Sequence, residues 1–166
     1  TSRRPETRND FADKWSKKLA IEIEPLETIE EVVRASDIGI GGTTLTEIVA
    51  REEWVKPGAT YISLARREMD PAGWSKFDKV VIDDWAANMM NREFVEFVEA
   101  GVFSREQLHA EICDVVTEKM PGRESDDERI LIHTTGLVSQ DIAICHHIYE
   151  KAKARSGGLA LPPTDG

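Results

Sequence analysis

Short apolar runs alternate with amphipathic stretches along most of the chain. The apolar runs predict buried strands at 37–42, 59–65, 79–83 and 129–133, and a weaker alternation of apolar and acidic residues predicts a short strand at 20–24. The amphipathic stretches predict helices at 5–19, 28–36, 104–120 and 136–155, and a further helix that runs through Met89 and Phe97 and stops at Gly101. Alternating strands and helices predict an α/β fold with a mostly parallel sheet and helices on both faces.

Local signals support several of these boundaries. Thr28 with Glu31, and Ser104 with Gln107, have the spacing of capping boxes that start helices. Pro5 suits a first helical turn, and Asp70-Pro71 predicts a short helix. The glycine- and proline-containing tail from 156 to 166 is predicted to be loose.

Composition restricts the classes of function. The chain has 166 residues and a formal net charge of −10, which argues against binding to nucleic acid phosphates. Its apolar runs all fall well short of the roughly 18 residues of a membrane span. Cys113 and Cys145 lie in predicted helices, where we expect small buried hydrophobes and no disulfide, as in a reducing cytoplasmic setting.

Ligands of parallel α/β sheets bind in the loops that follow the carboxyl ends of strands. Ser2-Arg3-Arg4 at the start of the chain suits a ribose 2′-phosphate if Thr1 ends a strand, and is otherwise a solvated basic segment. The segment from Gly39 to Thr44 is glycine-rich, but it lacks the third glycine of a dinucleotide fingerprint. Its glycines allow either close approach of a flat ligand or a tight strand end.

The segment from His133 to Leu137 joins a predicted strand to a helix. Backbone N–H groups at such a junction favour an anion or a carboxamide oxygen, and the alternative is an ordinary threonine N-cap. His146-His147 point in different directions on a helix, and the acidic runs lack calcium-loop spacing, so no metal site is predicted.

Several collinear segments together resemble the ornithine cyclodeaminase/mu-crystallin family across residues 1–155. They are Ser2-Arg3-Arg4-Pro5-Glu6, Asp37 to Thr44, Glu53 to Ala59, Arg67-Glu68-Met69-Asp70, Val80 to Asp84, His109-Ala110-Glu111, Pro121 to Glu128, Thr135-Gly136-Leu137 and Gln140-Asp141. Any one of these segments alone is a weak signal, whereas their shared order and spacing are specific.

The resemblance implies a Rossmann-type domain that lacks its first βα unit, with the glycine fingerprint expected upstream of Thr1. It assigns 1–136 to a partial dinucleotide-binding domain, 137–155 to a helix returning to the substrate and dimerisation domain, and 156–166 to a flexible tail. A homodimer through that second domain is the corresponding expectation.

The resemblance also implies a function: NAD(P)-dependent hydride exchange with an amino or imino acid. Alternatives are an ornithine or lysine cyclodeaminase that recycles NAD internally, and a non-catalytic mu-crystallin-like binding protein. Cyclodeaminases of this family carry an acid in the loop that matches 65–68. Here the loop is shorter and has Arg66 and Arg67, with no clear acid at the matching place, which favours a reductase or dehydrogenase.

The resemblance assigns roles to individual residues. Ser2, Arg3 and Arg4 would hold the adenosine ribose or its phosphate, which favours NADP over NAD. Thr43 and Thr44 would contact the nucleotide near its ribose, and Thr135, Gly136 and Leu137 would meet the nicotinamide. Possible further contacts to substrate or cofactor are Ala65, Arg66 and Asp83. No catalytic acid or base is assigned.

Overall fold

The computed structural model describes residues 1–43, 47–64, 68–155, 157 and 159. Within it the chain forms two compact units, one from Thr1 to Thr135 and a second that begins at Gly136. Most of the predicted tail, 156–166, lies outside the described residues. No helix in the described ranges is both long enough and apolar enough to cross a membrane.

The first unit is built on a five-stranded sheet. Its strands are β1 (Ile38–Gly41), β2 (Thr60–Ser63), β3 (Lys79–Ile82), β4 (Ala110–Glu111) and β5 (Ile130–His133). Their order across the sheet is β1-β2-β5-β3-β4, and every pair is parallel. The parallel α/β architecture predicted from the sequence is confirmed.

Helices precede and connect these strands. They are α1 (Pro5–Leu19), α2 (Ile29–Ala35), α3 (Trp85–Asn88), α4 (Arg92–Glu99) and α5 (Ile112–Val116), and the second unit holds α6 (Val138–Ala154). Short 3₁₀ helices span Glu52–Trp54, Pro71–Lys76 and Arg105–Gln107. Both capping boxes form, because Thr28 and Ser104 exchange hydrogen bonds with Glu31 and Gln107.

Several sequence predictions are wrong. The helix expected through Met89 and Phe97 is two helices, α3 and α4, because Asn91 caps a new helix. β1 is buried on one face only, since Ile38 and Ile40 are exposed.

Residues 20–24 form no strand. The left-handed Ala20 ends α1, and none of the strands in the described ranges pairs with the segment. The predicted helix 104–120 is interrupted, since His109 N donates to Val80 O and the chain joins the sheet edge as β4 before α5 begins. Cys113 and Cys145 are exposed rather than buried.

One face of the sheet carries the hydrophobic core of the first unit. Tyr61, Val80 and Leu131 project from adjacent strands into a cluster that includes Trp74 and Phe103. The register aligns these positions, because Tyr61 pairs with Leu131 and Leu131 pairs with Val80. The packed face therefore stabilises this register of the strands, and the register in turn positions the loops at their carboxyl ends.

Candidate nucleotide site at the carboxyl edge of the sheet

The carboxyl ends of four strands meet at one edge of the sheet. Gly41 pairs with Ser63, Ser63 with His133, and His133 with Ile82. The residues that follow these strand ends therefore share one rim of the first unit. This is the edge at which parallel α/β sheets bind their ligands.

A cleft of about 520 Å³ opens beside this rim. The residues that line it come from the chain start, the loop before α2 and the loop after β1: Thr1, Ser2, Arg3, Glu27, Thr28, Ile29, Gly42 and Thr43. Ser2, Arg3 and Thr43, which are far apart in the sequence, are thus brought together. Arg4 lies outside this lining, as the exposed N-cap residue of α1.

Arg8 was missed by the sequence reasoning, although it helps to position the cleft. Its guanidinium donates to the carbonyl oxygen of Ser2 at 3.3 Å and reaches Glu27 Oε1 at 3.5 Å. The side chain is only 13% exposed, so helix α1 fixes its direction. An arginine one turn into a helix gives no sequence signal that separates this role from that of a solvated basic residue.

The glycines of β1 make room for protein side chains. A Cβ on Gly39 would lie 2.9 Å from Cδ2 of Tyr61, and one on Gly41 would lie 2.7 Å from both the Tyr61 hydroxyl and Glu68 Oε2. The flat group that approaches this backbone closely is therefore the Tyr61 ring. This explains the Gly-x-Gly pattern without a phosphate loop.

Glu68 is a buried carboxylate that links two loops of the rim. It is 1% exposed, and its two oxygens accept hydrogen bonds from the backbone N–H of Thr43 and from that of Leu64, the latter at 2.9 Å. Burial and the Glu68 charge raise the pKa of the neighbouring Tyr61 to about 12. The Tyr61 hydroxyl consequently stays protonated at neutral pH.

Asp83 is the second buried carboxylate, and it holds the turn after β5. Its Oδ2 accepts from the backbone N–H of Thr135 at 2.7 Å, and its Oδ1 accepts from Asn88 Nδ2 at 2.7 Å. The N–H of Thr134 donates to Ser63 O at 2.9 Å, so three adjacent strands secure this turn. Asp83 is 2% exposed, which makes it a support for the turn rather than part of an open surface.

His133 is the last residue of β5, close enough to both buried carboxylates to feel their charges. Its Nδ1 lies 3.3 Å from Ser63 Oγ, and its ring centroid is 4.9 Å from that of Trp74. Burial lowers the pKa of His133 to about 4, although the charges of Asp83 and Glu68 oppose this decrease. The imidazole is therefore neutral at physiological pH.

The remaining predicted site residues have different outcomes. Gly136 has a φ of +89°, and Leu137 is the N-cap residue of α6 without a side-chain capping bond. The simple threonine N-cap considered for this junction is thus wrong. Gly136 and Leu137 belong to the second unit. Thr44, Ala65 and Arg66 lie outside the described residues.

This chain is similar to known proteins in sequence and in fold. It is 32% identical over 91% of its length to N-((2S)-2-amino-2-carboxyethyl)-L-glutamate dehydrogenase of Staphylococcus aureus, of which it covers 46%. Its fold matches Thermococcus litoralis Delta(1)-pyrroline-2-carboxylate reductase, solved with NADH and L-proline, with a TM-score of 0.84 and 31% identity, over 95% of this chain and 50% of that one.

An archaeal alanine dehydrogenase dimer with bound NAD matches with a TM-score of 0.80 and 28% identity, over 95% of this chain and 51% of that chain. The chain thus spans about half the length of the relatives it matches. The model of the ornithine cyclodeaminase/mu-crystallin family matches residues 1–156. The collinear motifs, the parallel sheet and this match agree, and the chain belongs to the ornithine cyclodeaminase/mu-crystallin family.

Proposed function

We propose that the chain forms the nucleotide-binding part of an NAD(P)-dependent oxidoreductase of amino or imino acids. The observation that carries the proposal is the rim itself, where Ser2, Arg3 and Thr43 line one cleft. Relatives that match at 32% and 31% identity are named as a dehydrogenase and a reductase of such substrates.

The lining of the cleft fits the adenosine half of a dinucleotide. Its volume of about 520 Å³ lies within the range of ligand pockets, and it offers hydroxyl groups, a guanidinium and backbone groups to ribose oxygens. Arg3 suits a 2′-phosphate, and this is the basis for preferring NADP. Two observations favour NAD instead. Glu27 lines the same cleft, and its carboxylate suits a free 2′-hydroxyl. The two solved relatives were determined with NADH and NAD.

The turn at Thr134–Thr135 is the proposed support for the nicotinamide end. When bound, the nicotinamide ring donates or accepts the hydride. The chain's own contribution is to hold this turn in place, since hydride transfer depends on alignment of the two reacting carbons. Asp83 and Ser63 provide that rigidity through their bonds to Thr135 and Thr134.

Asp83→Asn tests the role of this support. The amide keeps one acceptor and sets an N–H donor against either the Thr135 N–H or the donors from Asn88 and Asp84, so the support of the turn is disturbed. We expect kcat to fall by about 10- to 100-fold. The matched control is Asp84→Asn, because Asp84 only caps α3 through Ala87 N and asparagine caps equally well. Steady-state kinetics in which both variants retain wild-type kcat would contradict the assignment.

Oxidation of NADH and NADPH by the full-length protein tests the reaction itself. The panel comprises cyclic imines, 2-oxo acids with amines, and ornithine. Net oxidation with an imine or with an oxo acid plus amine is the expected result. Turnover of ornithine with ammonia release and no net change in cofactor would replace the proposal with a cyclodeaminase, and binding of cofactor without turnover would replace it with a binding protein.

The choice between NADP and NAD is tested by a variant of Arg3. If Arg3 holds a 2′-phosphate, Arg3→Ala raises the KM for NADPH and leaves the KM for NADH near its wild-type value. An equal effect on both cofactors would argue against that role.

We further propose a homodimer, supported by the dimeric archaeal relative, and light scattering measures it directly.

A further inference from the structure

The carboxylate of Glu68 does not line the cleft, but it contacts the backbone of a residue that does. Its Oε1 accepts from Thr43 N and its Oε2 accepts from Leu64 N. Thr43 lines the cleft, whereas Glu68 is 1% exposed. The carboxylate therefore reaches the cleft only through the backbone that it holds.

The two bonds hold two different loops of the rim. Leu64 N also donates to Gly41 O at 3.1 Å, so the loop after β2 has a second anchor in the sheet. Thr43 follows the last residue of β1 by two positions, beyond the ladder that pairs Gly41 with Ser63. Glu68 thus anchors the Thr43 backbone directly, beyond the end of β1.

A charged acceptor makes this a strong and directional link. Hydrogen bonds from N–H to a carboxylate are roughly twice as strong as neutral ones, and burial reduces competition from water. The surroundings leave Glu68 little freedom, because even a Cβ at position 41 would collide with its Oε2 and with the Tyr61 hydroxyl. The carboxylate is thus held in one position by the backbone at position 41, the Tyr61 hydroxyl and its two N–H donors.

We propose that Glu68 is a positioning residue for the cofactor: it presets the Thr43 loop against which the adenosine half binds. This inference rests on the proposed function, because it presupposes that the cleft binds a nicotinamide dinucleotide. It adds a residue that contacts no ligand and that controls affinity through the backbone. Preorganisation of this kind lowers the ordering cost of binding.

Glu68→Ala and Glu68→Gln form a graded test in the full-length protein. Alanine removes both acceptors, and glutamine retains one acceptor while setting an amide donor against the other backbone N–H. We expect hydrogen exchange at the Thr43 amide of the cofactor-free protein to accelerate by about 10- to 100-fold in Glu68→Ala. The dissociation constant for NADH should rise about tenfold or more, with Glu68→Gln between wild type and alanine.

Glu52→Ala is the matched control. Glu52 is also a buried carboxylate, with Arg129 at 2.7 Å and Lys76 at 3.1 Å. It is not among the residues that line the cleft, and its ion pairs lie away from the described residues of the rim. Its variant should lower the thermal midpoint without changing NADH affinity or exchange at Thr43. An equal loss of NADH affinity in Glu52→Ala and Glu68→Ala would reduce Glu68 to a structural residue.

Two further outcomes separate this assignment from the proposed function. Wild-type protein that binds NADH together with a Glu68→Ala variant that binds it equally well would overturn the role of Glu68 alone. Wild-type protein that binds neither NADH nor NADPH would overturn both. Should the alanine variant fail to fold, exchange in wild type still decides: a Thr43 amide that exchanges as fast as an unbonded loop amide contradicts the link.

Discussion

Gly41→Ala is expected to lower the free energy of unfolding by about 2–3 kcal/mol, because overpacking of a filled core forces its neighbours to move. The new Cβ would lie 2.7 Å from Glu68 Oε2 and 2.7 Å from the Tyr61 hydroxyl, both well inside contact distance. Neither neighbour has room to retreat, since Glu68 is 1% exposed and Tyr61 is 3% exposed. Displacement of Glu68 should also weaken NADH binding through Thr43.

Gly42→Ala provides the control for this prediction. At Gly42 the nearest atom to an added Cβ is Leu64 Cδ1 at 4.0 Å, which is ordinary van der Waals contact. Urea unfolding of the two variants at neutral pH therefore separates a specific steric effect from a general cost of losing glycine in this segment. Equal midpoints for Gly41→Ala and wild type would refute the packing that we describe around Tyr61.

The second large effect is a loss of stability in acid that depends on His133. Its ordinary pKa of 6.5 applies to the unfolded chain, and burial lowers the pKa to about 4 in the folded chain. Above pH 6.5 both states hold the ring neutral, and the free energy of unfolding does not depend on it. Below pH 6.5 the unfolded state binds a proton that the folded state refuses, so stability falls until about pH 4.

This difference corresponds to about 2–3 kcal/mol between pH 7.5 and pH 4.5, because each pH unit between the two pKa values contributes about 1.4 kcal/mol. His133→Gln removes the titration. Between pH 7.5 and pH 4.5 its free energy of unfolding, measured with urea, should therefore fall by that much less than the wild-type value, even if the variant is less stable at pH 7.5. Identical slopes for wild type and His133→Gln would contradict a buried neutral imidazole.

The sequence predicted the parallel sheet because buried strands and amphipathic helices have distinct periods. Pro5–Leu19 and the Thr28 capping box were predictable, since each depends on residues close together in the chain. The strand expected at 20–24 failed because a strand requires a partner that no local pattern reveals. β4 was missed for the converse reason, as its two residues become a strand only by meeting β3.

The candidate site shows the same division. Ser2, Arg3 and Thr43 were predicted through resemblance, and the fold brings them to one cleft. Glu68, Arg8 and His133 each contact residues that are distant in the sequence, so local spacing does not reveal these contacts. The Gly39-x-Gly41 pattern was noticed but its cause was not, because the ring that requires it lies on the neighbouring strand.

A crystal structure of the full-length protein with a bound nicotinamide dinucleotide tests the central claim most directly. We expect the adenosine ribose within hydrogen-bonding distance of Ser2 or Arg3 and beside Thr43, and the nicotinamide beside the Thr134–Thr135 turn. A dinucleotide that is bound elsewhere, with the cleft of Ser2, Arg3 and Thr43 left to solvent, would contradict the account.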